Sequence, residues 1–343
     1  MTAVRIRLIA LPLMVPFLHL LMPNAASAQA WVPGKGWGNV SIGYKNLYVK
    51  DHLDMQGNKI DSGQIRTNVV SMDLDYGVTR RLAVSVGLPL SLVKYTGTKP
   101  HTAPGIPLLD DGKYHGGAQD FRVGFRYNLV RNSPVVITPF VEGIVPSHDY
   151  VTFAHAAIGR NLRELLVGTN IGWQGGESFL PNAFFQTRIN YSFVEKVLGR
   201  SHNRTNIDME VGYFLTPRLA VTGIASYAKH HGGLDYDSSR TIPEQWTPEE
   251  LLNHDELMRS DQLDVGGGAS FRVSRSTSVY ANVLTIAWGI NGHALNTGII
   301  AGINVRFRGR HPKVSENLAE QETAFLGSTV PPIVRNAELR ACH

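Results

Sequence analysis

Beyond residue 37 the chain alternates apolar and polar side chains with a period of two, which is how a β-strand with two unlike faces reads in sequence. The alternation is plainest between Thr67 and Ser91, where Val70, Met72, Leu74 and Tyr76 share one face and Ser71, Asp73 and Asp75 the other. After Gly77-Val78-Thr79-Arg80-Arg81 it resumes, with Leu82, Val84, Val86, Leu88 and Leu90 opposing Ala83, Ser85, Gly87 and Ser91. Two such runs with so short a connection predict an antiparallel hairpin.

The same unit recurs along the chain. Phe121, Val123, Phe125, Tyr127 and Leu129 alternate with Arg122, Gly124, Arg126 and Asn128, and another strand begins at Val135 after a short polar turn. The segment from Arg163 to Trp173 is less regular, because Leu162, Arg163 and Leu166 blur its faces. Phe185, Thr187, Ile189, Tyr191 and Phe193 oppose Gln186, Arg188, Asn190 and Ser192, and Ile207, Met209, Val211 and Tyr213 oppose Asn206, Asp208, Glu210 and Gly212. Thr216-Pro217-Arg218 returns the chain into Leu219 to Tyr227, then Leu263, Val265, Gly267, Ala269 and Phe271 oppose Gln262, Asp264, Gly266, Ser270 and Arg272. Strands from Ser278 to Trp288 and from Thr297 to Phe307 follow, and an opening strand spans Gly38 to Val49. The count is about twelve, each near the roughly 9 to 11 residues that a tilted membrane-spanning strand needs.

Two regularities point to a membrane barrel. An aromatic on the apolar phase closes every second strand near a short turn: Tyr76, Tyr127, Trp173, Tyr213, Phe271 and Phe307. Such a row is an interfacial girdle in outline. The connections also alternate, with compact turns near residues 78, 132, 216 and 274 and longer polar loops around 51–64, 95–117, 146–160 and 230–259. The expected fold is therefore an all-β, transmembrane, antiparallel up-and-down β-barrel of about 12 strands, with short periplasmic turns and long external loops. A soluble sandwich would have to converge its apolar faces on one core.

The flanks of this pattern predict export. Arg5 and Arg7 precede an apolar run from Leu8 to Leu21, followed by Pro23 and Ala26-Ser27-Ala28, the order of a secretory signal. The run is shorter than the roughly 18 to 20 residues that span a bilayer, and Pro12, Pro16 and His19 interrupt it. The expected division is a cleaved signal at 1–28, an outer-membrane barrel at 29–307, and a periplasmic tail at 308–343 with Pro312, Pro331 and Pro332 and no sustained period.

Composition changes this picture little. Hydrophobic residues are only 43% of the chain, and the 34 glycines recur inside apolar stretches, as in Gly266-Gly267-Gly268, where a packed soluble strand would avoid them. Removing the signal takes away two arginines and no acid, so a net charge of +5 becomes +3 and leaves no basic tract for nucleic acid. The single Cys342 cannot close an intrachain disulfide and does not follow the signal, which argues against lipoprotein acylation.

With the strands laid out, the chain resembles the meta-pathway phenol-degradation family of outer-membrane proteins. Tyr76-Gly-Val-Thr-Arg-Arg-Leu82 looks like that family's hairpin signature, and Gly116-Gly-Ala-Gln-Asp-Phe-Arg-Val-Gly124 is similar to its Gly-rich, Asp-containing strand start. Ser260-Asp-Gln-Leu-Asp-Val-Gly-Gly267 and Trp288-Gly-Ile-Asn291 look like its closing strands. The resemblance spans roughly Trp31 to Phe307 and implies a transporter-like barrel that passes hydrophobic or aromatic small molecules.

If the apolar phase faces lipid, the other phase sends Asp73, Asp75, Arg122, Arg126, Glu142, Arg188, Asp208, Glu210, Asp264, Arg272 and Arg306 into the lumen. These charges fit a polar channel with a transverse field, and equally a lumen filled by mutual ion pairs. Thr247-Pro248-Glu249-Glu250 carries an N-cap, a helix-starting proline and a capping-box acid, predicting a short amphipathic helix that either gates the mouth or tidies a surface loop. His230, His231, His254 and Asp255 share one loop, and His148, Asp149 and His155 another, but adjacent imidazoles rarely chelate one ion and no helical His-x-x-x-His pair is present. No metal or other cofactor is expected. His202 with Ser201 or Ser192 lacks a nucleophile motif, and Gly34-Lys-Gly36 lacks the rest of a phosphate loop, so no catalytic residue is assigned. The expected partners are outer-membrane lipid, the barrel-assembly machinery during insertion, and a small-molecule solute. A closed structural or partner-binding barrel and a lipid-modifying enzyme stand as alternatives.

Overall fold

The computed structural model of the protein describes residues 30–309 except 132, 177 and 178. The signal segment at 1–28 and nearly all of the tail at 308–343 lie outside those residues. Twelve long strands run in sequence: β1 Trp37–Leu53, β3 Gln64–Gly77, β4 Leu82–Thr96, β6 Asp120–Tyr127, β7 Val135–Pro146, β8 Glu164–Gly176, β9 Phe179–Val194, β10 His202–Phe214, β11 Leu219–Gly232, β12 Asp261–Arg272, β13 Thr277–Ile290 and β14 Gly292–Arg308. Two short strands, β2 Lys59–Ile60 and β5 His115–Ala118, edge β1 and β4. Neighbours pair antiparallel, and β14 returns to β1 from Trp37↔Arg308 to Leu53↔Gly292, closing a twelve-stranded barrel. Closure leaves the wall no free edge, so the backbone hydrogen bonds of a lipid-facing strand are all satisfied by its neighbours.

Strand number agrees with the sequence pattern; strand length does not. β1 and β14 each hold 17 residues and β9 holds 16, well past the roughly 9 to 11 that cross the hydrocarbon. The surplus lengthens the wall beyond the membrane and encloses a deeper lumen.

The two faces sort inside out relative to a soluble protein. Met72 is 53% exposed on the outer wall while Ser71 beside it is 6% exposed inside, and Val70, Leu74, Val86, Leu90, Phe125 and Val211 likewise point outward. Only a hydrocarbon solvent makes such an exterior favourable. The predicted girdle sits at the short-turn end of that exterior. Tyr76 and Phe307 stack at 6.5 Å across Gly38, which pairs with both, and a side chain at Gly38 would strike the Phe307 ring.

One device forms three of the short turns. Thr79 Oγ1 accepts from the N–H groups of Arg81 and Leu82, Thr216 Oγ1 from those of Arg218 and Leu219, and Ser274 Oγ from those of Ser276 and Thr277. A hydroxyl three residues before the next strand thus holds the reversal.

At the opposite end the loops are long, except for a tight β13–β14 hairpin at Asn291-Gly292, where both residues have positive φ, 49° and 99°. Asn-Gly is the sequence that tolerates this turn. In the loop after β11 the predicted helix forms as α2 Pro248–Leu252: the Thr247 hydroxyl accepts from the Glu250 N–H and the Glu250 carboxylate accepts from the Thr247 N–H. It lies between α1 Ile242–Gln245 and α3 His254–Leu257. The apolar side chains of this loop cluster on one another around Leu234, Trp246 and Leu257. The loop therefore has its own small core.

Candidate functional site

The inner wall carries a row of charges that reach across intervening strands. In register, Asp73 of β3, Gly87 of β4 and Arg122 of β6 lie side by side. Arg122 donates to Asp73 Oδ1 at 2.9 Å over the bare Cα of Gly87, where a Cβ would lie 2.4 Å from that oxygen. Arg126 donates to Asp75 across β4 as well, but diagonally, since its own register partner on β4 is Ala83. Arg188 of β9 lies 3.3 Å from Glu142 of β7 across β8, with its guanidinium 3.7 Å above the Phe140 ring. Asp208 accepts from Ser226 at 2.7 Å, Glu210 accepts from Gln186, and Asp264 accepts from Gln262 at 2.7 Å. Near the short-turn end Arg306 covers the Trp37 ring at 4.5 Å, and Arg272 is half-buried.

Each of the eleven charges read from the sequence is buried or half-buried, in contrast to exposed apolar residues such as Met72 and Val211. Glu164 and Arg204 complete the row, with Arg204 donating to both carboxylate oxygens of Glu164. The blurred alternation around Leu162 to Leu166 hid Glu164; Arg204 precedes the regular part of its strand. Their side chains are only 7% and 3% exposed, so the pair is held away from bulk water. Arg204→Ala is expected to cost about 3–5 kcal/mol, because a buried carboxylate loses its main counter-charge. The urea midpoint of the heat-modifiable gel shift measures this, and an unchanged midpoint would mean that Arg160 suffices for Glu164.

Two segments enter the lumen. From the short-turn end, Ala30 is fully buried, its carbonyl accepts from Thr138, and Trp31 packs on Gly172 beside Phe184, Phe214 and Ala220. From the long-loop end, the connection between β7 and β8 folds inward: Phe153 to Ile158 are buried, with Ala156 and Ile158 packed against Val49, Ile65, Val93 and Tyr95 and Phe153 stacked on His101. Asp110 pins this loop by accepting from the N–H groups of His101, His155 and Ala156. Between the inserts, one side of the wall is apolar: Leu47, Tyr280, Leu284, Leu295 and Ile300 of β1, β13 and β14 cluster inside.

Titration in the inserted loops follows burial. Burial pushes Tyr150 up strongly, aided by Asp120, to which it donates at 2.6 Å. Burial and the nearby His101 lower His155 to about 2, so it stays neutral. Burial alone would lower His101, but the adjoining Asp255 carboxylate, 3.5 Å away, raises it overall. Burial opposes charge on Asp255 too, yet His254 and His101 hold it well below the usual carboxylate range.

These loops gather five histidines that the sequence keeps far apart: His52, His101, His155, His254 and His293. His155 centres the group, with ring centroids 3.9 Å from His101, 5.1 Å from His52 and 6.2 Å from His293. The remaining histidines singled out by sequence lie elsewhere. His231 contacts Thr205 and Tyr191, His230 lies near Asp261, and His148 contacts Ser147. His202 is fully buried near Arg160 and Arg204.

No protein-family model matches the chain, and no curated protein matches it; the phenol-degradation resemblance accordingly gains no support from either. Solved structures do match. The COG4313 outer membrane channel from Pseudomonas putida F1 overlays 81% of this chain and 98% of its own with a TM-score of 0.61 at 12% identity. The translocator domain of the autotransporter NalP from Neisseria meningitidis overlays 80% and 90%, with a TM-score of 0.46 at 10% identity. The P. putida toluene transporter TodX overlays 84% and 97%, with a TM-score of 0.41 at 9% identity. At such identities the first likeness shows the fold alone: a closed antiparallel β-barrel like that of an outer-membrane channel.

Proposed function

We propose that the barrel passes small apolar or aromatic molecules across the outer membrane, passively and without covalent chemistry. The carrying observation is the apolar inner wall of Leu47, Leu284, Leu295 and Ile300, with Tyr280 beside it. A barrel that only conducted water and ions would gain nothing from apolar side chains on its inner phase, whereas a solute without hydrogen-bonding groups needs a surface that does not require its hydration. Four of the inner cations, Arg122, Arg126, Arg188 and Arg204, are already paired with carboxylates, so they hold the wall together and leave less field for an ion. In this reading the long loops face outward, the short turns face the periplasm, residues 1–28 are removed on export, and the inserted segments shift when solute passes.

Intact bacteria whose lipopolysaccharide excludes a fluorescent apolar naphthylamine provide the test. Expression of the barrel should speed dye entry, and Leu284→Asn with Ile300→Asn should cancel the gain while the folded band persists. Equal entry with and without the barrel would overturn the reading. A second reading, a closed barrel whose loops bind a partner, is favoured by the filling of both lumen ends; it requires loop deletions to matter more than changes to the inner wall.

A further inference from the structure

We propose that the long-loop end of the lumen holds one divalent transition-metal ion, of the zinc or copper(II) class, on the imidazoles of His52, His155 and His293. His52 of β1 and His293 of β14 are direct cross-strand partners at the closure seam, with ring centroids 4.2 Å apart. The Asn291-Gly292 hairpin starts β14 and so sets that register. His155 comes down on the pair from the inserted loop, and one nitrogen from each of the three rings lies within 4.8 Å of the others. Zinc–nitrogen bonds of about 2.0–2.1 Å place tetrahedral ligands about 3.3 Å apart, so the rings must close by about 1.5 Å at most, which imidazole side-chain rotation supplies.

Hydrogen bonding prepares two of these rings. His155 Nε2 lies 3.2 Å from the Lys99 carbonyl, an acceptor only, so the ring proton is on Nε2 and the lone pair on Nδ1. That Nδ1 is shielded from solvent and has no hydrogen-bond partner. A carbonyl on the far nitrogen is the usual orientation of a metal-bound imidazole. Both nitrogens of His52 are likewise shielded and without a hydrogen-bond partner, a costly arrangement unless something accepts or donates there. His155 is also held at its backbone, because its own N–H and that of Ala156 end on Asp110.

Neighbouring groups are explained without an ion. His101 and Asp255 form an ion pair, and His254 donates from Nδ1 to the Leu251 carbonyl at 2.6 Å with Nε2 3.4 Å from Asp255. Both Asp110 oxygens are occupied by backbone donors. The set is three nitrogen donors, which suits zinc, copper(II) or nickel(II) and not the oxygen-seeking magnesium or calcium. Three protein ligands leave one coordination position for water or a solute group. Because the ligands join β1, β14 and the inserted loop, a bound ion would fasten that loop to the seam. The inference does not depend on what the barrel carries.

The test uses untagged, full-length protein in detergent, stripped by chelator and titrated with cobalt(II), then with zinc(II) in competition. One equivalent of cobalt(II) with the intense visible bands of a low-coordinate nitrogen site is expected, displaced by zinc(II). His155→Ala, which leaves the wall intact, should weaken binding at least about a hundredfold, more than loss of a supporting group does, and His52→Gln should do the same. His231→Ala should leave it unchanged. Absence of binding by the folded barrel, or loss on His231→Ala comparable to that on His155→Ala, overturns the proposal. So does loss on His254→Ala with His155→Ala silent, which would place the ion on the neighbouring group.

Discussion

Gly268→Val should leave the chain unable to complete its barrel, with the heat-modifiable folded band lost from gels of outer-membrane fractions. The reason lies in how closely β12 and β13 approach. A Cβ at Gly268 would stand 2.0 Å from the Ala281 carbonyl oxygen, and one at Gly266 2.1 Å from that of Val283. Both obstacles are backbone, and neither can rotate aside as a side chain tip can. Relief requires opening the β12–β13 ladder, and in hydrocarbon each backbone group left without a partner costs several kcal/mol. The contrast is Gly143, which has open space around its missing side chain. Gly143→Ala should fold like the parent. Normal assembly of the Gly268 variant would show that the two strands can separate locally without loss of the fold.

Removal of residues 30–35 should raise single-channel conductance in planar bilayers several-fold and leave the wall intact. The segment contributes no strand, since β1 begins at Trp37. Its contacts are nonetheless inside the lumen: Thr138 donates to the Ala30 carbonyl, and Trp31 fills the space over Gly172 beside Phe184 and Phe214. Taking it away opens an area lined by small and aromatic side chains at the short-turn end of the lumen. The inserted loop at the other end still limits flow, so the full effect should appear when Ala154–Ile158 is shortened as well. Conductance that does not change in either variant would mean that the paired charges alone close the passage. A rise for ions without faster dye entry would separate a water pathway from the apolar one.

The charge row illustrates how function and folding share residues. Arg122, Arg126, Arg188 and Arg204 each meet a carboxylate on a strand that is not their neighbour, so each pair ties three strands together. Such ties help fix the circular order of the wall. They also occupy the cations that a solute carboxylate would otherwise find.

The sequence by itself determined the local facts. A period of two fixes which side chain of each strand faces lipid, so Val70 and Met72 against Asp73 and Asp75 already told outside from inside. Turn chemistry at Thr79, Thr216 and Ser274 is contained within a few residues, and the capping box at Thr247 equally so. The twelve-strand count followed from those signals. What tertiary structure alone decided is everything that depends on closure: the pairing of β1 with β14, the extra length of both, the entry of Ala30 and Trp31 from one end and of Phe153 to Ile158 from the other, and the meeting of His52, His155 and His293. Those histidines come from strand ends and a loop that no periodicity links, and they are neighbours only because a sheet closed on itself brings its first and last strands together around a shared interior.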